Sequence, residues 1–360
     1  GNPNLQPAVQ RETEFGVNAS FLNRFDAEIV SSERKTTGAF LSVPLSVPLN
    51  GGFSSQVQNA ATVAGRTLEG SLNTRVIQRT DLTYSFSLTA SRTRQHIDQL
   101  DRPPFQQGGN GQGQNIFYYR PGENIGVIYG ARFDTQVSQM LDNPANAGIS
   151  IDSLKKVYSV NDLGYVVKTA SIGLPSEAPV KYVDKSGSSV VKIMDGNPDF
   201  TWGLANTVHW KGFTLYGLLD GTHGGQMYNF TKQWMFQDLR SGDIDQSNKP
   251  AGSKHAYDLY TNGFYNALDP ASYFVEDGGY VKLRELSVSY DLGTRFLSQV
   301  GLGHAVRGAK ISLIGRNLKT WTKYSGMDPE ASAGGDPNLR LDGFRYPTFR
   351  QVAGQIQLDF

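Results

Sequence analysis

The chain has 360 residues, of which 38% are hydrophobic and 11% aromatic, and its 34 basic and 33 acidic residues leave a formal net charge of +1. It contains no Cys, which excludes disulfides, thiolate metal sites and cysteine nucleophiles. The sequence has no basic block, which argues against a nucleic-acid-binding protein. It has no apolar run long enough for a membrane helix, which argues against a helical membrane protein. Membrane-spanning strands, whose residues alternate between apolar and polar, are compatible with this composition.

Alternation of apolar and polar residues predicts nine long antiparallel strands, each with one apolar and one polar face. In "DLTYSFSLTA", for example, Phe86 lies on one side and Ser85 and Ser87 lie on the other. The predicted strands cover residues 12–22, 25–36, 63–78, 82–95, 200–209, 213–221, 280–290, 309–319 and 348–360. Residues 123–170 hold either no strand of this kind or a further pair, so the total is nine or eleven.

Two local irregularities are also predicted. The apolar residues change parity between Leu283 and Leu286, which indicates a β-bulge near Glu285. Short helices are expected within the loops, at 137–141 and 227–238.

The connections between the predicted strands alternate between tight turns and long loops. Residues 23–24, 79–81 and 210–212 are short links, and the long stretches rich in Gly, Pro and Asn are 37–61, 96–122, 222–279 and 321–347. The glycine-rich run "GGNGQGQN" (108–115) lies in one of them and predicts a flexible loop. Such alternation is typical of membrane β-barrels, in which short periplasmic turns face long extracellular loops.

An odd number of strands has a consequence for barrel closure. The first and last predicted strands run in the same direction, and a closed barrel in which every strand pairs antiparallel cannot be made that way. We therefore expect the chain to form part of an all-β, antiparallel transmembrane barrel. Aromatic girdles at the membrane interfaces are expected from Tyr84, Trp202, Trp210, Tyr290 and Phe360.

The polar faces of the strands are expected to line the lumen of such a barrel, with Ser85, Ser87, Thr89, Gln355 and Gln357 as the candidates. The loop "GGQMYNFTKQWMFQDLR" carries aromatic residues just beyond a predicted strand, where binding residues are often found. Aromatic rings suit sugars or apolar peptide side chains, so the candidate substrate contacts are Tyr228, Phe230, Trp234 and Phe236. The alternative is that these rings pack the loop against itself.

Motifs for covalent chemistry are absent from the sequence: it contains neither HExxH nor GxSxG, and we predict no catalytic residue, metal or cofactor. Asp220 and His223 in "DGTH" could form a hydrolytic pair or a polar loop rim. Asp243 and Asp245 in "GDIDQSN" have the alternating oxygens of a calcium loop, but they lack the glycine and the distant glutamate of an EF-hand, and they equally suit turns.

Several stretches together resemble the barrel of SusC/RagA-type TonB-dependent outer-membrane transporters. The resemblance begins with "GNPNLQPAVQRETEFGVNASFLNRFDAEIVSSERKTTGAFLSVPL" and continues in the family's order through "GFSSQVQNAATVAGRTLEGSLN", "GNPDFTWGLANTVHWKGFTLYGLLDG", "YVKLRELSVSYDLG", "ISLIGRNLKTWTKYSGMDPE" and "YPTFRQVAGQIQLDF". It spans nearly the whole chain and is weakest over residues 96–195.

The resemblance implies that residues 1–360 form the C-terminal part of one larger barrel of about 22 strands, without its plug domain and its N-terminal strands. It further implies a location in the bacterial outer membrane and import of oligomeric nutrients, glycan or peptide, without enzymatic activity. The implied partners are a SusD-like surface lipoprotein, TonB acting through the missing N-terminal region, the barrel assembly machinery and outer-membrane lipid. A terminal aromatic on an alternating last strand resembles the barrel-assembly signal, here Ile356, Leu358 and Phe360.

Two other hypotheses stay open on the sequence alone. The chain could be a stand-alone structural or adhesive outer-membrane β-protein, assembling through open strand edges. It could also be an outer-membrane enzyme, for which the sequence shows no catalytic constellation.

Overall fold

The computed structural model describes residues 2–109, 115–267, 269–301, 305–332 and 339–360. The predicted flexible loop lies, for residues 110–114, outside these ranges. In chain order the strands are β1 (Val9–Phe21), β2 (Phe25–Pro44), β3 (Ser55–Arg79), β4 (Leu82–Leu100), β5 (Phe105–Gly109), β6 (Asn115–Tyr119), β7 (Val127–Ala131), β8 (Tyr158–Val160), β9 (Val166–Lys168), β10 (Val190–Asp195), β11 (Phe200–Trp210), β12 (Phe213–His223), β13 (Gln226–Asn229), β14 (Val275–Asp277), β15 (Tyr280–Leu292), β16 (Gly308–Thr322), β17 (Leu341–Asp342) and β18 (Gln351–Asp359).

The helical elements are short. They are α1 (Ile151–Lys155), α2 (Phe230–Gln237) and α3 (Thr294–Gln299), together with a π-helical turn at Leu259–Phe264 and 3-10 turns that include Val137–Asp142. The 3-10 turn and α2 confirm that short helices lie within the loops, but α2 begins only at Phe230, because residues 227–229 of the predicted helix pair as part of β13. None of the helices in the described ranges has the length and apolarity that spanning a membrane requires.

One nine-stranded antiparallel sheet, in the order β1-β2-β3-β4-β11-β12-β15-β16-β18, dominates the fold. This confirms the all-β antiparallel class and the nine predicted strands, and no strand from residues 123–170 enters this sheet. The predicted loop over 37–61 is wrong in extent: β2 and β3 continue to pair as far as Pro44 and Ser55. Hydrogen bonds between neighbours extend this hairpin although its sequence is rich in residues typical of turns.

One face of the sheet, here called the apolar face, is a series of cross-strand apolar rows. A leucine row crosses five neighbouring strands, with Leu72, Leu88, Leu204, Leu219 and Leu283 as successive partners from β3 to β15. Large apolar side chains on this face are exposed, among them Val17, Ile29, Leu215, Val288, Leu313 and Ile356. Such a surface would be costly in water at about 25 cal/mol per Å², and it is what a lipid-facing sheet requires.

Aromatic residues mark the apolar face at the end with short turns. Trp210, Phe213 and Tyr290 are cross-strand partners, and the ring centroids of the two successive pairs lie 6.3 Å and 4.4 Å apart. Phe21 and Phe25 stack across the first turn at 5.1 Å. This arrangement is that of an interfacial aromatic girdle.

A β-bulge interrupts the pairing of β15 with both of its neighbours. The register shifts between Leu283 and Glu285 on β15, and on the facing strand between Leu218 and Leu219. The bulge near Glu285 that the sequence predicts is thereby confirmed. As an extra residue of the strand, Arg284 is turned toward the same side as Lys282.

The loops fold into a second region, here called the loop body, at the end of the sheet opposite the short turns. It contains the described parts of residues 101–199, 224–279 and 323–350, and it packs against the outer ends of β2, β3 and β4. Its core includes Ile97, Phe117, Phe264 and Phe274. A four-stranded sheet in the order β10-β7-β6-β5 forms one side of it. The long loops are therefore packed structure with a core of their own.

Candidate functional site

The face of the nine-stranded sheet opposite the apolar one is here called the polar face. One row on it runs from Glu28 through Ser71, Thr89 and Gly203 to Asp220 as successive cross-strand partners. An open cleft of about 580 Å³ lies along these residues. Small and hydroxyl-bearing side chains leave room there and supply donors and acceptors for a polar solute.

The predicted lumen-facing residues all lie on the polar face. Ser85, Ser87 and Thr89 alternate along β4 on the side of that row. Gln355 pairs with Ser312, whose neighbour on the next strand is Ser289, and the two hydroxyl oxygens lie 2.8 Å apart. Gln357 pairs with Lys310. The residues therefore share one surface, and its role as a lumen wall stays a prediction.

An ionic cluster of five charged side chains joins the polar face to the loop body. Lys282 Nζ lies 2.6 Å from Asp328 Oδ1 and 2.8 Å from Glu330 Oε2. Arg284 donates two hydrogen bonds to Asp220, at 2.6 Å and 2.8 Å, and two to Glu330, at 2.5 Å and 2.8 Å. The Lys282 side chain is 1% exposed and that of Asp328 is 5% exposed. This cluster fixes the segment after β16, which comprises the described residues 323–332 and 339–350, against the wall formed by β12 and β15.

The two carboxylates of this segment stay charged by a balance of opposing effects. Burial raises the pKa of Asp328, but hydrogen bonds from Lys282 and from the amides of Glu330 and Thr348 bring it below its ordinary value. Burial also raises the pKa of Glu330, but hydrogen bonds from Arg284 and Lys282 bring it below its ordinary value. Paired charges of this kind are expensive to separate because each would remain buried alone.

Arg340 fixes the same segment at a second point. Its Nη2 donates to the carbonyl oxygens of Gly278 at 2.6 Å and Pro329 at 3.1 Å. A Cβ on Gly278 would lie 2.6 Å from Arg340 Nη1, so only glycine allows this approach. Tyr324 donates to Asp342 Oδ2 at 2.5 Å, and burial followed by that carboxylate raises the pKa of Tyr324. Arg340 thereby joins the segment to the loop before β15, and the Tyr324–Asp342 hydrogen bond joins the two described parts of the segment to each other.

The structure changes the role of the aromatic substrate candidates. Tyr228, Phe230 and Phe236 are almost completely buried in the loop core, and Trp234 is partly exposed at its margin. Tyr228 donates to Gln233 Oε1 at 2.8 Å and accepts from the amide of Ala271 at 3.1 Å. As placed, the three buried rings cannot contact a solute unless the core opens, because protein atoms surround them.

Beside these rings lies an open cavity, here called the loop cleft. It has a volume of about 580 Å³ and lies between α2 and the segment after β16. Its exposed apolar side chains are Met235, Met327, Phe344 and Tyr346. Its charged side chains are Lys232, Asp243, Asp342 and Arg345. Sequence reasoning missed this cleft because its two walls are more than 80 residues apart in the chain.

The alternative chemical motifs have other partners in the fold. His223 Nδ1 lies 3.4 Å from Asp199, and Asp220 is bound by Arg284, so Asp220 and His223 form no pair with each other. Asp243 lies 2.8 Å from Lys232 Nζ, and Asp245 accepts from the amide of Ser247 at 2.8 Å, as in a turn. In the described ranges no group of three or more His, Asp or Glu side chains could bind a metal ion.

Comparison with known proteins identifies relatives of the chain. No protein-family model matches it. It is 28% identical over 387 aligned residues to TonB-dependent receptor P3 of Formosa agariphila, a match that covers 100% of this chain and 35% of that protein. It is 24% identical over 357 residues to TonB-dependent receptor P26 of the same organism, covering 92% of this chain and 32% of that protein. The chain thus spans about a third of the length of these relatives.

Solved structures share the fold. A structure of the RagAB peptide transporter matches with a TM-score of 0.69 and 24% identity, covering 100% of this chain and 36% of that one. The RagAB peptide importer in its "open-open" state matches with a TM-score of 0.66 and 22% identity. The relatives carry the names of receptors and transporters, not of enzymes. Together these matches confirm the resemblance to TonB-dependent transporters and the outer-membrane location that it implies.

Proposed function

We propose that this chain, similar over its full length to TonB-dependent receptors, forms the C-terminal wall of an outer-membrane importer of oligomeric nutrients. The observation that carries the proposal is the two-faced sheet: an exposed apolar face for lipid, and a polar face with an open cleft beneath an attached loop body. A wall of this kind separates a solute path from the bilayer. In this proposal residues 1–360 belong to one barrel domain.

The polar row and the loop cleft have separate tasks in the proposal. Hydroxyl and amide side chains such as Ser85, Ser87, Thr89, Gln355 and Gln357 line the lumen and let a polar oligomer pass. The loop cleft contacts the oligomer first, and Trp234 packs against the loop core on α2. The buried rings of Tyr228, Phe230 and Phe236 support that surface from below.

The chemistry of the loop cleft favours peptide over glycan as the substrate class. Met235, Met327 and Phe344 offer apolar contacts of irregular shape, which suit varied apolar side chains. Lys232, Asp243, Asp342 and Arg345 line the cleft, so it presents charges of both signs to the termini of a peptide. RagAB, which shares the fold, is described as a peptide transporter.

The proposal includes the partners that the resemblance implies. A SusD-like lipoprotein would cover the loop body, and TonB would act through the N-terminal region of the transporter. The barrel assembly machinery would recognise the last strand, where Ile356, Leu358 and Phe360 are exposed on the apolar face.

The test is uptake by living cells. Cells that produce the full-length protein are given labelled oligopeptides and labelled oligosaccharides of matched size, with and without a functional TonB. We expect TonB-dependent uptake of the peptides. Uptake that is unaffected by loss of TonB or of this protein would refute the importer, and TonB-dependent uptake of the oligosaccharides alone would replace peptide by glycan.

A pair of variants tests the role of the loop cleft separately. Met235→Trp should fill part of the cleft and reduce uptake about tenfold, while Leu141→Trp, on a loop 3-10 turn outside the cleft, should leave uptake unchanged. Equal uptake by the two variants would remove the cleft from the solute path without affecting the importer proposal.

One observation favours the alternative of a structural protein that assembles through its edges. All residues of β1 and of β18, the two edge strands, are exposed. Unpaired edges of this length template further pairing. In the importer these edges pair with other strands of the same barrel, and in the alternative they pair with other copies. The mass of the denatured protein from its native membrane distinguishes the two: a single polypeptide of about 39.5 kDa would favour the alternative.

A further inference from the structure

The apolar face changes character at the end of the sheet that carries the loop body. On β4 its residues are apolar from Leu82 to Ala90, and the next ones on the same side are Arg92, Arg94 and His96. At about 3.3 Å per residue the apolar part is roughly 26 Å long along the strand. Allowing for strand tilt, this approaches the apolar band of an outer-membrane barrel, about 25 Å tall.

The neighbouring strands change at the same level. Arg94 pairs with Arg66, and Arg66 pairs with Glu33. The next row joins His96, Ala64, Lys35 and Arg11 across four strands, from β4 to β1. Adjacent strands are about 4.8 Å apart, and successive residues on one side of a strand are about 6.6 Å apart. The basic side chains of neighbouring strands are therefore close together.

These side chains line a recess, here called the basic cleft. It has a volume of about 480 Å³ and is lined by Arg11, Thr13, Glu33, Arg34, Lys35, Ala64, Gly65, Arg66, Arg94 and His96. On this side of the sheet Ala64, between His96 and Lys35, carries only a methyl group, which leaves the space between the longer basic residues open.

The acidic residues nearby neutralise only part of this positive charge. Lys35 binds Asp98 at 2.7 Å, and Arg66 lies 3.8 Å from Glu33 with both side chains largely exposed. Arg94 donates to the carbonyl of Pro198 and to Asp199. Within the described ranges Arg11 has no acidic partner, and neither has Arg92, which lies outside the cleft lining but borders it, two residues before Arg94 on the same side of β4. The basic cleft is therefore cationic, and it is continuous with the lipid-facing surface below it.

We propose that the basic cleft binds the phosphate groups of phosphorylated glycolipid headgroups in the outer leaflet of the outer membrane. The cleft lies on the side that faces the bilayer and directly beyond the apolar rows, where headgroups of bound lipid would be. Arginine guanidinium groups bind phosphate oxygens through paired, charge-assisted hydrogen bonds. Acyl chains of the same lipid would lie along the apolar rows. The inference rests on the outer-membrane location and on the proposed orientation, with the loop body outside.

The test measures lipid binding by the full-length protein, extracted in detergent and freed of its own lipid. Native mass spectrometry follows a titration with bisphosphorylated lipid A, with its dephosphorylated form and with inorganic phosphate alone. We expect binding of the phosphorylated lipid at least tenfold tighter than that of the dephosphorylated lipid, and none of free phosphate under the same conditions. Equal binding of both lipids would assign retention to the apolar face, and binding of phosphate alone at equal strength would make this a free-anion site; either result overturns the proposal.

Variants locate the site. Arg11→Gln/Arg66→Gln/Arg92→Gln removes three cations and leaves the pairs of Lys35 and Arg94 in place; we expect it to weaken binding of the phosphorylated lipid at least tenfold. The matched control is Arg24→Gln/Arg79→Gln, at the short-turn end of the same strands, which should bind as the wild type does. Unchanged binding by the triple variant would refute the site. Because the readout is lipid binding, loss of nutrient uptake does not affect the result.

Discussion

Replacement of Lys282 by methionine tests how the loop body is attached to the sheet. Lys282→Met keeps most of the aliphatic side chain and removes the ammonium group. In the wild type that group lies 2.6 Å from Asp328 and 2.8 Å from Glu330, and its side chain is 1% exposed. The variant leaves the Asp328 carboxylate, itself 5% exposed, without its cation.

The expected cost follows from the donors that remain. Loss of one partner of a buried ion pair costs about 3–5 kcal/mol. Asp328 keeps hydrogen bonds from the hydroxyl and amide of Thr348, at 2.9 Å and 3.1 Å, and from the amide of Glu330 at 3.0 Å. We therefore expect the lower end, about 3 kcal/mol, which is a factor of roughly one hundred in the opening equilibrium.

Hydrogen exchange measures this opening. Amides of residues 324–332 and 339–348 should exchange about a hundredfold faster in Lys282→Met, because the segment leaves the wall more often. Asp328→Asn in the same background should recover part of the protection, since it removes the unpaired charge. Lys310→Met is the matched control: its partner Asp291 lies 3.4 Å away and both side chains are largely exposed, so its effect should stay below about 1 kcal/mol. Unchanged exchange in Lys282→Met would refute the role given to the ionic cluster.

Three further changes test other parts of the structure. Phe86→Arg, on the apolar face, should cost about 2–4 kcal/mol and reduce membrane assembly, whereas Ser87→Arg should assemble normally; equal loss in both, measured by heat-modified gel mobility, would contradict the assignment of the faces. Gly221→Val places a Cβ within 2.6 Å of Trp202 Nε1, so we expect a displaced indole, a cost of about 1–3 kcal/mol and a shifted tryptophan emission, and an unshifted spectrum would exclude that contact. Burial, with Asp142 adding to it and Arg132 opposing it, raises the pKa of Asp134 to about 6. The contribution of this carboxyl group to stability is therefore full below its ordinary pKa of 3.8 and is lost as the pH rises through about 6. Asp134→Asn should raise the melting temperature at pH 7 and not at pH 3.5, and an equal effect at both pH values would refute the raised pKa.

The long strands could be predicted from the sequence because their alternation is strict. Residues 82–90 carry an apolar side chain at every second position, and the structure gives β4 from Leu82 to Leu100. The bulge near Glu285 was visible for the same reason, since one extra residue reverses the parity on either side. The alternation and its reversal depend only on neighbouring residues in the chain, so they can be recognised without knowledge of the fold.

The loop body could not be predicted in the same way because its contacts join distant segments. Phe236 packs on Tyr260 and Phe274 with centroid distances of 5.7 Å and 5.1 Å, and no period relates the three. The alternation of residues along the strand places Lys282 on the polar face, but it does not show that this side chain is buried. Its partners Asp328 and Glu330 lie 46 and 48 residues further along the chain.

The two faces of the sheet are the central claim, and single-cysteine labelling along β4 tests it most directly. The chain contains no Cys, so one cysteine introduced at a time from residue 84 to residue 91 is the only labelling position within these 360 residues, and the protein without the introduced cysteine is the blank. In intact outer membranes a water-soluble maleimide should react at positions 85, 87, 89 and 91 and should fail at 84, 86, 88 and 90. Labelling without this alternation, or with the opposite parity, would contradict a sheet with lipid on one side and an aqueous path on the other.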